Sequence, residues 1–413
     1  MSSFQRVNGA LHADGVSLAD LAARFGTPLY AYSAEMIAAR YREVDQAFGG
    51  YPHTVHYALK ANSTLAIARL LRSLGAAADA NSGGEIEVAL RAGFTPAEIV
   101  FTGVGKSDAE LARAIDLGLR SINAESEGEI ERIDAIAAAR GARARVAVRV
   151  NPDIDARSHP HISTGRKNNK FGVAIADARE MCLRMCDRAG VRIVGLHSHV
   201  GSQITHLEPL QHAAEALAAL AADLRGAGVG IEHLDIGGGL GIAYEGQKVP
   251  TAAEYAAVVL PIVRQTGLAL ILEPGRYLVG QAGVLITRVV DVKPQAGGKL
   301  FAILDAGMTD LMRPMLYGAY HRIEPIADGG APEALVDLVG PVCETTDTLG
   351  RDRRLPAPAV GDLMVVFDAG AYGSVMASNY NRRPMPAEVL IQDSQATLVR
   401  RRQTIDDLVA LEL

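Results

Sequence analysis

The sequence predicts an α/β fold in which a (β/α)8 barrel of the TIM type is joined to a second, mostly β domain. Between Thr54 and Arg276, short β-branched or apolar runs alternate with segments of helical period, as in parallel strands joined by helices. After Arg276 the runs become β-rich and are divided by Gly/Pro turns. The chain has 413 residues, more than one hydrophobic core usually serves, so two domains are expected.

The first region contains eight candidate strands, one for each β/α unit. Helical segments lie between them, and several end in Gly, where a helix C-cap is expected. Eight consecutive β/α units predict a closed barrel. The strands, in chain order, are VHYALKA, AAADANS, IVFTGVG, SINAES, ARVAVRVNP, RIVGLHSHVG, HLDIGGG and ALILEPGR.

The second region is predicted to be a β domain. Its β-rich runs are GVLITRVVDVKP, KLFAILDAG, EALVDLVGPVCE, DLMVVFDAGAY and AEVLIQDSQATLVRRR. The N-terminal segment, with a short helix at SLADLAARFG followed by TPLYAYS, could pair with either region. We assign residues 34–277 to the barrel, and residues 1–33 together with 278–413 to the β domain.

The composition excludes several functional classes. The formal net charge is -6 and there is no basic stripe, so a nucleic-acid partner is not expected. No apolar run reaches the roughly 18 residues that a membrane helix needs, and the N-terminus has no apolar signal core. Three cysteines are too few and too unevenly placed for a disulfide framework, which favours a reducing cytoplasmic location.

Polar residues stand at the ends of several predicted strands. Lys60 ends strand one, Asp79 strand two, His197 and His199 strand six, and Glu273 strand eight. In a TIM barrel these ends meet at the C-terminal face, where active sites lie. A lone lysine at a strand end is a weak signal, and a capped loop is its simpler interpretation. The convergence of these residues on one face predicts a site.

A glycine loop at the same face predicts a phosphate site. Gly237, Gly238 and Gly239 follow strand seven, where barrel phosphate sites begin, and their backbone can approach an anion closely. Gly275 extends this cup, and Ser202 could add a hydroxyl donor. A triple glycine is more often a tight turn, but its place between strands seven and eight favours phosphate binding.

A lysine opposite a phosphate cup suggests pyridoxal 5′-phosphate. Lys60 would supply the amine that holds the aldehyde, and Glu273 would keep the pyridine nitrogen protonated. His199 could stack on the ring, and it would share a side of its strand with His197. A His-x-His pair also suggests a metal site, but no third ligand with suitable spacing is evident, so no metal is expected.

The motifs YALKAN, DANSGGE, HSHVGSQ, DIGGGLG and EPGR together resemble the group IV, fold-type III pyridoxal-phosphate decarboxylases. The resemblance covers almost the whole chain and implies an alanine-racemase-like barrel with a β domain. It implies that Lys60 is the Schiff-base lysine, that His199 stacks on the ring and that Glu273 contacts the pyridine nitrogen. It also implies that Ser202 and the loop from Gly237 to Gly239 bind the phosphate, with Gly275 and Arg276 beside them.

A second set of motifs, mostly from the β domain, is more specific. The segments NPDIDARSHPHISTGRKNNKFG, DAGMTDLMRPMLYGAYH, CETTD and GAYGSVMASNYN resemble the branch of this family that decarboxylates meso-diaminopimelate to L-lysine, the final step of lysine biosynthesis. That resemblance implies that Arg276, Arg313 and Tyr317 hold the distal carboxylate of the substrate, and that Glu344 takes its amino group. Two arginines suit a planar carboxylate, which guanidinium groups bind bidentately.

The same resemblance completes the predicted site. It implies Cys343 as proton donor, Tyr372 near the cofactor phosphate and substrate, and a homodimer in which Cys343, Glu344 and Tyr372 cross into the neighbouring barrel. Thr345 departs conservatively from the Ser of the Cys-Glu-Ser pattern.

Two acidic residues outside these assignments have two interpretations each. Asp79 and Asp347 could orient the site or simply cap loops.

Other functions remain open from the sequence. A decarboxylase of ornithine, arginine or a carboxylated polyamine precursor would use the same scaffold. An amino-acid racemase shares the barrel, but HSHVGSQ, CETTD and the β domain argue against it. A non-catalytic pyridoxal-phosphate carrier and a cofactor-free barrel enzyme are the more distant alternatives.

Overall fold

The computed structural model describes residues 3–154 and 170–412. The strands are β1 (Phe4–Val7), β2 (Ala10–Ala13), β3 (Val16–Ser17), β4 (Leu29–Ser33), β5 (His53–Ala58), β6 (Ala77–Ala80), β7 (Ile99–Phe101), β8 (Ser121–Ala124), β9 (Ala144–Asn151), β10 (Val173–Ala174), β11 (Val191–His197), β12 (His233–Asp235), β13 (Ala269–Leu272), β14 (Gly283–Pro294), β15 (Leu300–Leu304), β16 (Ile323–Pro325), β17 (Glu333–Val339), β18 (Thr348–Pro356), β19 (Leu363–Val366), β20 (Ala387–Gln392) and β21 (Gln395–Arg400). The α-helices are α1 (Leu18–Phe25), α2 (Ala34–Ala47), α3 (Leu65–Ser73), α4 (Gly83–Ala92), α5 (Asp108–Leu117), α6 (Glu127–Ala139), α7 (Ile175–Met185), α8 (Glu208–Gly226), α9 (Ala252–Thr266), α10 (Arg276–Val279), α11 (Arg313–Tyr317) and α12 (Ile405–Val409).

Eight parallel strands form a closed barrel. Their order is β9-β11-β12-β13-β5-β6-β7-β8, and β8 also pairs with β9, which completes the ring. Neighbouring strands are parallel throughout. The predicted barrel and its eight strands are therefore confirmed. Because all eight strands run the same way, their carboxyl ends meet at one rim.

Helix boundaries in the barrel follow from local chemistry. Ser82, Ser107 and Ser126 precede α4, α5 and α6, and each hydroxyl accepts a hydrogen bond from the backbone N–H three residues later. This bond satisfies a donor that the first helical turn leaves without a partner. Gly93 and Gly118 end α4 and α5 in the left-handed conformation, where glycine has no steric cost. The glycines therefore end these helices as the sequence predicts.

The chain divides into two compact units. The barrel unit comprises Arg40–Ile242 and Lys248–Tyr277, and the β unit comprises Met1–Ala39, Ala243–Gln247 and Leu278–Leu413. The domain boundaries drawn from the sequence, with the barrel at 34–277, stay a prediction.

The β unit contains a mixed sheet built from both ends of the chain. Its order is β18-β17-β15-β14-β4-β20-β21, and β19 joins β14 to β16. The N-terminal strand β4 lies antiparallel to β14 and parallel to β20. Its side chains at Leu29 and Ala31 pack in one core with Val284, Ile286 and Val389. The expected mostly β second domain is confirmed, and the N-terminal segment belongs to it.

Among the helices of the described residues, none is long and apolar enough to cross a membrane.

Candidate active site

The ends of β5 and β6 bring a lysine and an aspartate together. Lys60 lies in the single 3-10 turn that follows β5, and its side chain is 31% exposed. Its Nζ donates to the Oδ2 atom of Asp79 over 3.0 Å, and it lies 3.4 Å from the Oδ1 atom of Asn81. Asp79 is fully buried, and Asn81 also donates to it. This hydrogen bond is consistent with the orienting role considered for Asp79, which stays a prediction.

A buried acid stands at the end of β13. Glu273 Oε2 lies 3.2 Å from Nε2 of His197, which ends β11, and both side chains are inaccessible to solvent. Burial opposes ionisation of Glu273, but the His197 ring and the Lys60 charge together hold its pKa below the ordinary value. Glu273 is therefore a carboxylate, which is the state needed to keep a nitrogen base protonated.

A second carboxyl group adjoins Glu273. Asp235 ends β12, and its Oδ1 accepts the N–H of Gly237 over 2.9 Å. Burial raises the pKa of Asp235 well above its ordinary value, and the neighbouring charge of Glu273 raises it further. Two adjacent buried carboxyl groups do not both ionise easily, so the proton resides on Asp235. Sequence reasoning missed this residue, although it begins the DIGGG motif.

His197, Asp235 and Glu273 are of residue types that can bind a metal ion. Ligand atoms of His197, Asp235 and Glu273 lie within 4.8 Å of one another. Among the described residues this cluster includes His197 but not His199, so it is not a third ligand for the His-x-His pair, and its members come from neighbouring strands and not from nearby sequence. The His197–Glu273 hydrogen bond and the protonated Asp235 account for the cluster without an ion. The absence of a metal stays a prediction.

His199 is held as a neutral ring. Its Nδ1 accepts the backbone N–H of Gly238 over 3.2 Å, which places the ring proton on Nε2. Burial lowers the pKa of His199 well below its ordinary value, and the charge of Lys60 lowers it further. A neutral, flat imidazole is suited to stacking on a cofactor ring.

The glycine loop after β12 has no room for side chains. A Cβ on Gly238 would lie 2.2 Å from the carbonyl oxygen of Glu273, and one on Gly239, whose φ is +109°, would lie 2.5 Å from that of Gly201. The N–H groups of Gly237 and Gly238 donate to Asp235 and His199. A phosphate held by this loop would therefore use the N–H of Gly239 or displace one of these two bonds.

Ser202 and Arg276, which belong to the predicted cup, contact each other. Arg276 is buried at the start of α10, and its Nη2 donates to the Ser202 hydroxyl over 2.9 Å. This bond uses a lone pair of the hydroxyl, so its O–H can still donate to an anion. A Cβ on the preceding Gly275 would lie 2.9 Å from Cβ of Ala61, so the chain passes closely behind the lysine turn.

Apart from Arg276, the residues predicted to recognise substrate lie in the β unit. Arg313 begins α11 and is buried, and Tyr317 ends that helix half-buried. Arg313 Nη1 lies 2.7 Å from Nε2 of His321, and the guanidinium carbon lies 4.6 Å from the ring centre of Tyr244. Sequence reasoning missed both aromatic neighbours, although His321 ends the DAGMTDLMRPMLYGAYH segment.

The remaining predicted residues lie on loops of the β unit. Cys343 and Glu344 are exposed, and Tyr372 is half-buried with a left-handed φ of +56°. Asp347 fixes the loop before it, because its two carboxylate oxygens accept the N–H groups of Met308 and Val342. Asp347 therefore caps a loop, the simpler of its two interpretations.

Part of one predicted motif falls outside the described residues. The segment NPDIDARSHPHISTGRKNNKFG includes residues 155–169, which the structure does not describe.

Comparison with known proteins gives a consistent result. Residues 34–280 match the family model for the pyridoxal binding domain of pyridoxal-dependent decarboxylases. The chain is 46% identical over 412 residues to diaminopimelate decarboxylase of Pseudomonas aeruginosa, covering 100% of this chain and 99% of that protein. It is also 46% identical to the enzyme of that name from Neisseria meningitidis, covering 98% of this chain and 99% of that protein.

Solved structures agree with the sequence comparison. Diaminopimelate decarboxylase from Helicobacter pylori, complexed with L-lysine, matches with a TM-score of 0.92 at 41% identity, covering 95% of this chain and 98% of that chain. The M. jannaschii enzyme of the same name, in co-complex with L-lysine, matches with a TM-score of 0.94 at 37% identity, covering 100% of this chain and 98% of that chain.

Proposed function

The chain belongs to the diaminopimelate decarboxylases, and from this membership we propose how its residues carry out the reaction. Its activity is the pyridoxal-dependent decarboxylation of meso-2,6-diaminopimelate to L-lysine and CO₂, the final step of lysine biosynthesis. The chain is therefore a carboxy-lyase, and the assignment of each step to a residue is our proposal.

Pyridoxal 5′-phosphate is the proposed cofactor, and the barrel rim fits it. Lys60 offers an amine aimed by Asp79 at 3.0 Å, Glu273 is a buried carboxylate that can hold the pyridine nitrogen protonated, and His199 is a neutral flat ring. Ser202, the loop from Gly237 to Gly239 and Gly275 would take the phosphate at the other end, with Arg276 beside them. When bound, the cofactor supplies a sink for the electron pair that the departing CO₂ leaves behind.

The proposed substrate contacts hold the L-centre of meso-diaminopimelate away from the bond that breaks. Arg276, Arg313 and Tyr317 would bind the carboxylate of the L-centre, and Glu344 would bind its ammonium group. Guanidinium groups suit this task because they form paired hydrogen bonds with a planar carboxylate. Holding the L-centre leaves the D-centre at the lysine end of the site, so the D-centre carboxylate is the one lost.

Cys343 is the proposed donor of the proton that replaces CO₂, with Tyr372 beside it. A thiol suits proton donation near neutral pH. In the single chain Cys343 and Glu344 are exposed, whereas a reacting centre is usually shielded from water. This exposure supports a homodimer in which these residues reach the barrel of the partner subunit. A cytoplasmic location stays a prediction.

The observation that carries this proposal is the Lys60–Asp79 contact at a rim that also holds Glu273 and His199. Purified protein should release CO₂ from meso-diaminopimelate and form L-lysine. Borohydride should fix the cofactor to the peptide that contains Lys60, as read by mass spectrometry. Lys60→Ala should lose both fixation and turnover.

A matched control is Lys293→Ala, because Lys293 is a lysine whose side chain is 65% exposed. This variant should keep both properties. Turnover of ornithine or arginine with none of meso-diaminopimelate would contradict the substrate assignment. Fixation at a lysine other than Lys60 would contradict the assignment of the cofactor site while leaving the activity intact.

A further inference from the structure

Arg313 is supported by two aromatic groups, and neither of these contacts carries a negative charge. Its Nη1 lies 2.7 Å from Nε2 of His321, and its guanidinium carbon lies 4.6 Å from the ring centre of Tyr244. The rings of His321 and Tyr244 also contact each other edge to face, with centres 5.4 Å apart. Arg313, His321 and Tyr244 are all buried. The guanidinium is therefore held in one plane within a packed cluster.

The hydrogen bonds of His321 fix its tautomer. Its Nδ1 lies 2.7 Å from the carbonyl oxygen of Phe367, and a carbonyl can only accept, so Nδ1 carries the proton. The Nε2 atom then holds a lone pair that accepts from Arg313. Both ring nitrogens are therefore used, one to anchor the imidazole to the backbone and the other to orient the guanidinium.

A neutral acceptor has a specific advantage beside an arginine that binds an anion. An Asp or Glu in this position would take up donors and offset the charge that attracts the substrate carboxylate. An imidazole acceptor occupies one of the five N–H donors of arginine and leaves its positive charge in place. Fixing the guanidinium before binding also reduces the entropy lost when the carboxylate docks.

We propose that His321 is a positioning residue for substrate recognition. By accepting from Nη1, it orients Arg313 so that the other N–H donors face the carboxylate of the L-centre of meso-diaminopimelate. This inference rests on the proposed role of Arg313 in binding that carboxylate. His321 itself acts through Arg313 and touches neither substrate nor cofactor.

Two amide substitutions separate the two hydrogen bonds of His321. In His321→Gln the side-chain oxygen can replace Nε2 and accept from Arg313, whereas in His321→Asn the amide can replace Nδ1 and only bond to Phe367. We expect His321→Asn to raise KM for meso-diaminopimelate about ten-fold, the effect of losing one hydrogen bond to a charged group. The value of kcat should change little, and His321→Gln should lie close to the wild type.

Product inhibition supplies a second measurement. L-lysine retains the carboxylate of the L-centre, whereas cadaverine lacks it. His321→Asn should therefore weaken inhibition by L-lysine by about the same factor as it raises KM and leave inhibition by cadaverine unchanged. The proposal would be overturned if His321→Asn weakened inhibition by L-lysine and by cadaverine equally. It would also be overturned if His321→Gln were as impaired as His321→Asn, because the bond to the Phe367 carbonyl would then be the main role of His321.

Arg313→Ala in the same assays distinguishes the role of Arg313 from that of His321. If Arg313→Ala weakens inhibition by L-lysine while His321→Asn does not, the proposed role of Arg313 is supported and that of His321 is contradicted. If Arg313→Ala changes neither KM for meso-diaminopimelate nor the inhibition constant of L-lysine, both proposed roles are contradicted. Cofactor absorbance and melting temperature monitor folding of each variant.

The wild-type protein provides a test that needs no substitution. A crystal structure of the holoenzyme with L-lysine should show Arg313 bonded both to the ligand carboxylate and to Nε2 of His321. A carboxylate bound away from Arg313, or a His321 ring turned away from it, would overturn the inference.

Discussion

At the scale of single residues, neighbouring charges decide which of two buried carboxyl groups at the barrel rim is ionised. Asp235 and Glu273 are both buried carboxyl groups on neighbouring strands, but their pKa values are displaced in opposite directions. The His197 ring and the Lys60 amine favour the charged form of Glu273, and that charge in turn favours the neutral form of Asp235. Asp235 therefore keeps its proton and can donate a hydrogen bond, whereas Glu273 is charged and can only accept one.

Amide substitutions should reveal this difference. Asp235→Asn keeps an acceptor for Gly237 and a donor toward Glu273, so it should leave kcat within a few-fold of the wild type. Glu273→Gln removes the charge that holds a protonated nitrogen, so it should lower kcat by about a hundred-fold. Steady-state assays with saturating cofactor measure both. Equal losses in the two variants would show that Asp235 is also ionised.

The sequence predicted several of the residues that stand at strand ends, but it missed residues whose roles depend on contacts between elements, including Asp235 at the end of β12. Lys60 and Glu273 could be predicted because each directly follows an apolar run whose end is visible in the sequence, and His199 lies shortly beyond such a run. Asp235 and His321 could not, because their roles depend on which residue another strand or loop places beside them. The pairing of His197 with Glu273 likewise depends on barrel order and not on spacing.

At the scale of elements, a buried ion pair links the ends of β8 and β9. Arg149 Nη1 donates to Glu125 Oε1 over 2.6 Å, and each side chain is 6% exposed. Glu125 Oε2 also accepts the N–H of Gly172 over 2.7 Å. The pair therefore joins β9 to the residue after β8 and to the chain entering β10.

Removing one partner of this pair should be costly. Glu125→Leu leaves the Arg149 charge buried without its carboxylate, which should lower the free energy of unfolding by about 3 kcal/mol. The double variant Glu125→Leu/Arg149→Met should recover part of that loss, because no unpaired charge remains. Urea unfolding measures both variants.

An exposed pair provides the control. Glu127→Ala removes the partner of Arg184, and both of these side chains are solvent-accessible, so the free energy of unfolding should change little. A Glu125→Leu variant as stable as Glu127→Ala would show that the buried pair contributes nothing to stability.

Local patterns predicted the elements, but they could not predict the order of the β sheet. The eight barrel strands follow one another with helices between them, so their neighbours are mostly adjacent in sequence. In the β unit, β14 pairs with β4, and β15 lies parallel to β17. Such long-range pairings are set by the packing of complete elements, which no short sequence window contains.

At the scale of the whole molecule, buried histidines should make the fold sensitive to acid. His56 is fully buried, and burial, together with the charge of Arg120, lowers its pKa to about 4. His233 behaves in the same way, with a pKa of about 3. Unfolded histidine binds its proton near pH 6.5, so the unfolded chain takes up more protons than the folded one below that pH. Stability is thus fully present above pH 6.5 and falls as the pH decreases toward 4.

The contribution of one histidine can be isolated. At pH 5, His56 alone should reduce the free energy of unfolding by about 2 kcal/mol relative to pH 7.5. His56→Asn keeps a donor for the Ala78 carbonyl but does not titrate, so its unfolding free energy should depend less on pH by that amount. His212→Asn alters an exposed histidine and should show the wild-type profile. Identical profiles for all three proteins would exclude His56 as the cause.

The proposed homodimer predicts complementation between inactive variants. Lys60→Ala and Cys343→Ala each remove one component of a site that two subunits would share. Mixing them in equal amounts with subunit exchange should give hybrid dimers with one intact site each, and about a quarter of the wild-type activity overall. Activity no higher than the sum of the separate variants would contradict a shared site, as would a monomer by light scattering.

The position of β4 has a consequence for synthesis on the ribosome. This strand is translated before every barrel strand, yet its two sheet partners, β14 and β20, are translated after all of them. The barrel strands can pair with one another while β4 still lacks both neighbours. An extended apolar strand in a nascent chain is open to intermolecular pairing. Chaperone binding to β4 in the nascent chain should therefore affect the yield of this protein more than its final stability.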